Sequence, residues 1–506
     1  MVRAAYLEKM KAINGMIYYQ GQDNMRKKIV IFGLGSLYRR TNIYIKALCD
    51  IVALTDNNAS LHGSIVDGVP VISPSEIFLK KCDGIIILSS YHKEIYQQLI
   101  SIGVDGALIN NGGNILVDVF QPLLEEALIS NDKHLVSANN NVSFFIDTLG
   151  NGGAEKALVD LTKMLSKENI SVSIVVTFST GDYFNSIPSE FPIRVLFDSN
   201  DKELIDLAFI LIEWKKLREI LKVTDSRIEV SFLDGFSSCL VVAGNADKKI
   251  GWVHSDLSYY LNNEQKKKEA SILYSLFTDV VFVTRNSQVA WEILFPENTY
   301  VKKHVIYNIV NVHDITNHTQ KSRLVFDKLT FIAVGRLDYV KGFDLLIKIC
   351  HRLNNQGYDN YQLLILGDGS DKPQLLNTIE ELHITNVSLL GHLAYPYQYI
   401  EAADFLISSS RSEGFSLVIL EALLLGTPVI ATKTAGSMEL ITRLGEGVLV
   451  ENNIDALYLE MKNACDGKLN SSYDLQSTRI KFEQIYKDTC YQIVDILGRG
   501  ERCISM

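Results

Sequence analysis

No C-x-x-C pair and no zinc-type spacing occurs among the seven cysteines. They stand singly, an odd and unpaired set that argues against a disulfide framework and suits a reducing cytoplasm. No uninterrupted apolar run approaches the ~18 residues a spanning helix needs. The first residues also lack the order of a secretory leader. A soluble or peripheral protein is expected, cytoplasmic or on the inner face of a membrane. Positive charge is scarce: 49 Lys and Arg stand against 59 Asp and Glu. A net charge of −10 argues against a general nucleic-acid binder but leaves room for a local basic patch. No D-x-D metal motif falls at a fitting strand end, and no internal repeat or low-complexity run is evident.

What is present is globular. The 506 residues are 47% hydrophobic and 21% charged. At ~100–200 residues per domain, that length suits about three domains. Short apolar runs alternate with helical patterns throughout, which predicts parallel α/β architecture.

One stretch carries most of the chemical information. Ser410-Arg411-Ser412-Glu413-Gly414-Phe415-Ser416-Leu417 leads into Val418 to Leu425, then Gly426. Apolar runs precede it (Asp404–Ser409) and follow it (Thr427–Thr432), so it reads as strand, loop, helix, strand. Gly414 suits a tight turn at the helix mouth and Gly426 a C-terminal cap. A helix over 415–425 is apolar on nearly every face and should be buried, yet it holds Glu421. An unpaired buried carboxylate costs several kcal/mol, so something polar must meet it. A sugar or ribose diol fits, because a carboxylate accepts two hydroxyl hydrogens. Glu413 precedes the helix start, where free N–H groups favour an anion such as phosphate. The plainer reading is a buried Glu–Arg or Glu–Lys pair.

Glu413 and Glu421, with seven residues between them and G-T-P-V-I-A following, resemble the acid pair of retaining GT-B glycosyltransferases. The similarity is to glycosyltransferase family 4, the group 1 transferases. It covers residues from about 141 to 506 and implies two Rossmann-like lobes with a nucleotide-sugar site between them. It implies a catalytic set of His254, Glu413, Arg336 and Lys341. The donor set would be Gly152, Gly153, Arg336, Lys341, His392, Leu393, Glu413, Gly414, Phe415, Ser416, Leu417 and Glu421.

The residues support several of these roles independently. Arg336 ends the run Leu329–Arg336 and Lys341 opens the next helix, placing two cations over one crevice, with two solvated surface charges as the plainer reading. An Arg fork and a Lys point charge suit a diphosphate. His254 follows Ile250-Gly251-Trp252-Val253, at the strand end where open α/β sheets bind ligands. Gly152-Gly153, before an amphipathic helix carrying Ala157, Leu158, Leu161 and Leu165, lets backbone approach a phosphate or sugar closely. A plain strand–helix turn explains it equally well.

Nearer the start, Gly33, Gly35 and Asp56 stand at about dinucleotide-fingerprint spacing, but the third glycine is missing and Tyr38 and Arg39 follow. A tight turn without ligand accounts for them equally. The run Ile31–Ser36, then Thr55–Asn58 and Gly68–Ile72, resembles the small Rossmann-like domain of sugar acyltransferases and some sugar methyltransferases. In the acyltransferases that domain binds a nucleotide sugar. Residues 115 to 140 read as a connector. Expected boundaries are an extension over 1–25, the accessory domain over 26–125 and a linker over 126–140. The acceptor lobe follows over 141–312, the donor lobe over 313–472, and a helix crossing back over 473–506.

The expected fold is α/β, a GT-B pair of lobes preceded by a small Rossmann-like domain. The expected reaction moves a sugar from a nucleotide-diphosphate sugar, UDP being commonest among similar proteins, to an acceptor hydroxyl with retention. The acceptor would be a glycan, a lipid-linked glycan or a protein, and no cofactor or metal is expected. Two other readings share these residues: a nucleotide-sugar epimerase or hydrolase, and a non-catalytic subunit of a glycan assembly complex. The basic helix around Glu213 to Lys222, with Lys266 to Lys268 and Lys302-Lys303, is expected to face solvent or an anionic membrane.

Overall fold

The computed structural model describes residues 26–89, 91–129, 141–319, 324–445, 447–469 and 474–498. The extension expected over 1–25 and most of the linker lie outside them. The chain forms two compact units: residues 1–131 with 196–224, and residues 132–195 with 225–506.

The first unit is built on a sheet of β1 (Lys27–Phe32), β2 (Cys49–Thr55), β3 (Ile65–Val66), β4 (Val69–Ile72) and β5 (Gly84–Ile87), in the order β3-β4-β2-β1-β5. Only β3 runs antiparallel, to β4. The central strands are apolar on both faces because both are covered; Ile29, Val30, Ile31 and Phe32 are all buried. Gly33 ends β1 at φ 101°, and a side chain there would meet the Leu88 carbonyl. The Asp56 carboxylate accepts from the backbone N–H of Leu34 at 2.9 Å and of Asn58 at 2.9 Å. These bonds fit the reading of a tight turn.

The connector expected from residue 115 is corrected here. Gly106–Ala127 is one helix of 22 residues that buries Ile109, Ile115, Leu116, Val119, Phe120, Leu123 and Leu124. Within this helix Gly112 serves close packing: a Cβ there would collide with the Ile85 backbone. Helices Lys202–Leu211 and Trp214–Ile220 pack on this long helix. Expected wholly within the acceptor lobe, residues 196–224 thus belong with the first unit. The second of these helices also hides one of its expected basic groups, since Arg218 is buried.

The second unit holds two parallel sheets. One comprises β6 (Val142–Ile146), β7 (Ser173–Phe178), β8 (Ile193–Phe197), β9 (Ile228–Ser231), β10 (Lys248–Val253), β11 (Asp279–Phe282) and β12 (Lys302–Val305). Their order is β12-β11-β10-β9-β6-β7-β8. At the edge of this sheet β12 pairs with β11, Val305 opposite Phe282. The other sheet comprises β13 (Leu329–Val334), β14 (Tyr361–Leu366), β15 (Val387–Gly391), β16 (Phe405–Ser408), β17 (Val429–Thr432) and β18 (Val448–Val450). It runs β15-β14-β13-β16-β17-β18.

Both orders reverse direction once, between β6 and β9 in one lobe and between β13 and β16 in the other. Ligands of open α/β sheets bind beyond the strand ends at such points. Helix Leu475–Ile496 touches both lobes: Arg479 donates to the Leu424 carbonyl at 3.3 Å, and Lys248 to that of Ile496 at 2.8 Å.

Candidate active site

The reversal point of the second sheet gathers the predicted cations and one predicted acid. β13 delivers Gly335 and Arg336, while β16 delivers the loop 409–416. Arg336 donates to Asp338 at 2.6 Å and keeps two thirds of its side chain exposed. Lys341 lies deeper, with its ammonium 2.6 Å from Glu413, which also accepts from the Ser410 hydroxyl at 3.0 Å. The two loops are fastened by close backbone contact. Gly342 sits at φ 70° against the Ser409 carbonyl, so a side chain there is excluded by both space and conformation.

Helix Leu417–Leu425 begins two residues later than expected, with Ser416 before it and no side chain capping its first N–H groups. Those groups and the helix dipole are oriented to favour an anion. Gly426 closes the helix at φ 86°, and Thr427 donates back to the Ala422 carbonyl at 2.9 Å.

Glu421 is buried, and the Lys156 ammonium of the first lobe is its partner. Lys156 also donates to the Tyr397 hydroxyl at 3.0 Å. Burial alone would lower the Lys156 pKa, but the Glu421 charge outweighs it and the net shift is upward. Asp160, one turn further along the same helix, is pushed up to about 6 by burial, against the pull of Lys156 and Lys163. Both predicted acids therefore stand in ion pairs. For Glu421 this is the buried Glu–Lys pair of the plainer reading. Glu413 pairs with Lys341, itself a member of the predicted set.

The first lobe supplies the opposite wall. Gly152 caps helix Gly153–Lys167, and a side chain on Gly153 would lie 3.9 Å from Leu417. The Glu155 carboxylate folds back beside Gly152, and its charge reaches Arg336. His254 follows β10, and Gly414 lies so close that a Cβ there would collide with the His254 carbonyl. The imidazole lies 4.6 Å from the Phe232 ring and stacks at 6.3 Å on Trp252. Both ring nitrogens are buried without a hydrogen-bond partner. Burial pushes its pKa down to about 3, so it is a neutral imidazole. Its bare nitrogens can take up a substrate hydroxyl.

The structure thus brings together His254, Arg336, Lys341, Glu413 to Leu417, Gly152, Gly153 and Glu421. His392 and Leu393 follow β15, at the edge of the donor-lobe sheet; His392 is exposed and Leu393 partly buried.

Three residues escaped the sequence reading. Arg411 grips Asp344 with two bonds of 2.8 and 2.9 Å, donates to the Tyr339 carbonyl and lies 3.9 Å above the Tyr339 ring. It locks the Lys341 loop to the Glu413 loop. Its position two residues before Glu413 was the available signal. Lys156 and Glu155 follow Gly152-Gly153 directly, but nothing local announces partners in the other lobe.

Residues 314–474 match the family Glycosyl transferases group 1, and residues 25–109 match C2185-like, N-terminal. A Campylobacter jejuni N-acetylgalactosamine-N,N'-diacetylbacillosaminyl-diphospho-undecaprenol 4-alpha-N-acetylgalactosaminyltransferase is 28% identical over 348 residues, 66% of this chain and 92% of the relative. A second C. jejuni protein, a GalNAc-alpha-(1->4)-GalNAc-alpha-(1->3)-diNAcBac-PP-undecaprenol alpha-1,4-N-acetyl-D-galactosaminyltransferase, is 28% identical over 61% of this chain and 84% of its own length. The chain is a glycosyltransferase. Its fold is GT-B. Anabaena HepE, solved with UDP and glucose, superposes with a TM-score of 0.56 over 71% of the glycosyltransferase and 99% of HepE, at 20% identity. The expected class, two Rossmann-like lobes with an extra small α/β domain, is the observed one.

Proposed function

We propose that this glycosyltransferase is a retaining enzyme of the family 4 type that moves a sugar from a UDP-sugar to a hydroxyl of a lipid-linked glycan. The observation that carries the reading is the convergence of Arg336, Lys341, Glu413 and the start of helix Leu417–Leu425 at one sheet reversal, with His254 directly opposite. The donor class draws on HepE, solved with UDP and glucose. The acceptor class draws on the two C. jejuni relatives, whose names specify diphospho-undecaprenol glycans.

In the proposed step the bond from the anomeric carbon to the diphosphate oxygen breaks as the acceptor oxygen attacks from the same face. The acceptor proton passes to the departing phosphate oxygen. Arg336, Lys341 and the helix N–H groups meet the charge that develops there, aimed before the reaction begins. That supply of positive charge requires no metal. Glu413 and His254 orient the donor sugar, and Glu421 serves the ribose. An acceptor of this kind would bring the enzyme to the surface of a membrane.

The test is UDP release from a panel of UDP-sugars with extracted lipid-linked glycans. Acceptor-dependent release should fall ~10²–10³-fold in Lys341→Ala, the usual cost of one such contact. Equal turnover without acceptor, yielding free sugar or an epimer, would replace transfer by hydrolysis or epimerisation. Unchanged turnover in Lys341→Ala would remove the assigned site.

A further inference from the structure

We infer that the outer face formed by helices Glu264–Tyr274 and Arg285–Leu294 of the second unit is a docking surface for an anionic lipid bilayer. Strands β10, β11 and β12 advance in one direction across the sheet. Right-handed crossovers therefore put both connecting helices on the same side. Their inner sides interlock: the Tyr274 ring lies 5.8 Å from Trp291 and 5.5 Å from Phe295. The opposite sides face outward.

Those outward sides share a pattern. One carries Lys268, Ile272 and, just past the helix end, Leu276; the other carries Arg285, Val289 and Ile293. Each is a stripe at four-residue spacing with a cation at the start and two apolar groups after it. Ile293 is 75% exposed, Tyr300 66%, Ile272 and Leu276 47% each and Val289 45%. Tyr300 belongs to the same patch, because its hydroxyl donates to the Ser275 carbonyl at 3.4 Å. Single exposed apolar residues need no explanation, but five on two neighbouring helices and the adjoining loop form a patch.

The surrounding charge selects the partner. Lys266, Lys267, Lys268, Arg285 and Lys303 stand among Glu264, Glu269, Glu292 and Glu297. Lys267 and Glu264 cancel, as do Lys303 and Glu292, which leaves Lys266, Lys268 and Arg285 against Glu269 and Glu297. A positive excess here is notable in a chain of net charge −10. Apolar tips among cations fit the boundary of anionic headgroups and acyl chains. The lipid-linked acceptor proposed above supplies the purpose, but the surface itself does not depend on that reading.

Flotation of the full chain with phosphatidylcholine vesicles, with and without phosphatidylglycerol, tests it. The protein should float with the anionic vesicles, less so at high salt. The pair Leu276→Asp with Ile293→Asp should lower recovery about tenfold or more. UDP-sugar turnover with a detergent-dispersed acceptor and the melting temperature should stay unchanged. Equal recovery with both lipids, or undiminished flotation of the double variant, would overturn the proposal. So would a dimer on size exclusion that the double variant dissolves, which would assign the face to a second copy. Flotation with no turnover of any donor would leave the surface standing and remove the catalytic reading instead.

Discussion

The Lys156 ammonium lies against the Glu421 carboxylate, one residue from each lobe of the second unit, both largely buried. The pair joins the helix of the Gly152-Gly153 turn to the helix that opens the anion cradle. On the proposed reading Glu421 also serves the donor ribose, so closure of the two lobes and donor binding draw on the same carboxylate.

Breaking one partner of a buried pair strands the other charge. Lys156→Ala and Glu421→Ala should each lower stability by ~3–5 kcal/mol. The double variant should lose clearly less than the sum of the two. Urea denaturation of the four proteins gives the coupling energy, and strict additivity would refute it. UDP titration adds a second sign. If ribose competes with Lys156 for Glu421, Lys156→Ala should bind UDP more tightly and Glu421→Gln more weakly, each by a factor of about ten, ~1.4 kcal/mol.

Gly414 should tolerate no side chain. A Cβ would collide with the His254 carbonyl, and the neighbouring Gly436 already packs on Phe415, where its own Cβ would sit 2.8 Å from the Phe415 Cα. Gly414→Ala must push the 409–416 loop away from β10. The expected cost is ~1–3 kcal/mol of stability. UDP-sugar turnover should fall further than stability explains, since ~1 Å of displacement can cost about a hundredfold in rate. Turnover and melting temperature measured on one preparation separate the two effects, and wild-type values for both would show that the loop has room to move.

The donor-lobe site was legible because its signals are local. Arg336 at a strand end, Lys341 at a helix entrance and Glu413 before an apolar helix are each written within a few residues, and β13 and β16 bring them together by topology alone. The ion pairs were not legible as such. Lys156 and Glu421 are separated by two sheets' worth of chain, and the sequence showed only that a buried acid needs some polar neighbour. The unit boundary failed for a related reason. The connector read from residue 115 is the second half of a helix that reaches its strand through Gly112, a close approach that only the packing reveals. The apolar faces of helices 202–211 and 214–220 fit either lobe's pattern equally well.

That boundary has a consequence for truncation. Leu204, Ile205, Leu207, Ala208, Leu217 and Ile220 are buried, and their helices pack on the 106–127 helix. A fragment starting at Asn141 keeps these side chains but loses that helix. Exposing them forfeits ~1.5–3 kcal/mol for each large side chain uncovered. The fragment should aggregate or melt well below the full chain in a thermal scan. Removing 202–220 as well, with a short Gly-Ser join, should restore solubility. A fragment from Asn141 as stable as the full chain would mean that residues 196–224 find a second partner.

His254 makes stability depend on pH with a definite sign. Burial lowers its pKa to about 3 in the folded chain. An unfolded histidine titrates near ~6.5, so below that value the unfolded state binds the extra proton and folding loses ground. The contribution is complete above pH ~6.5 and declines as the pH falls toward the folded value, by ~1.4 kcal/mol per unit. At pH ~5 the loss should be ~2 kcal/mol. His254→Gln, which cannot protonate, should lack this component, so its stability measured by urea denaturation at neutral pH and at pH ~5 should change less than that of the parent. Parallel curves for the two proteins would mean that the imidazole is solvated and can charge in place. In that case the reading of a neutral ring awaiting a sugar hydroxyl would fail as well, because a solvated imidazolium would already be hydrogen-bonded through both nitrogens.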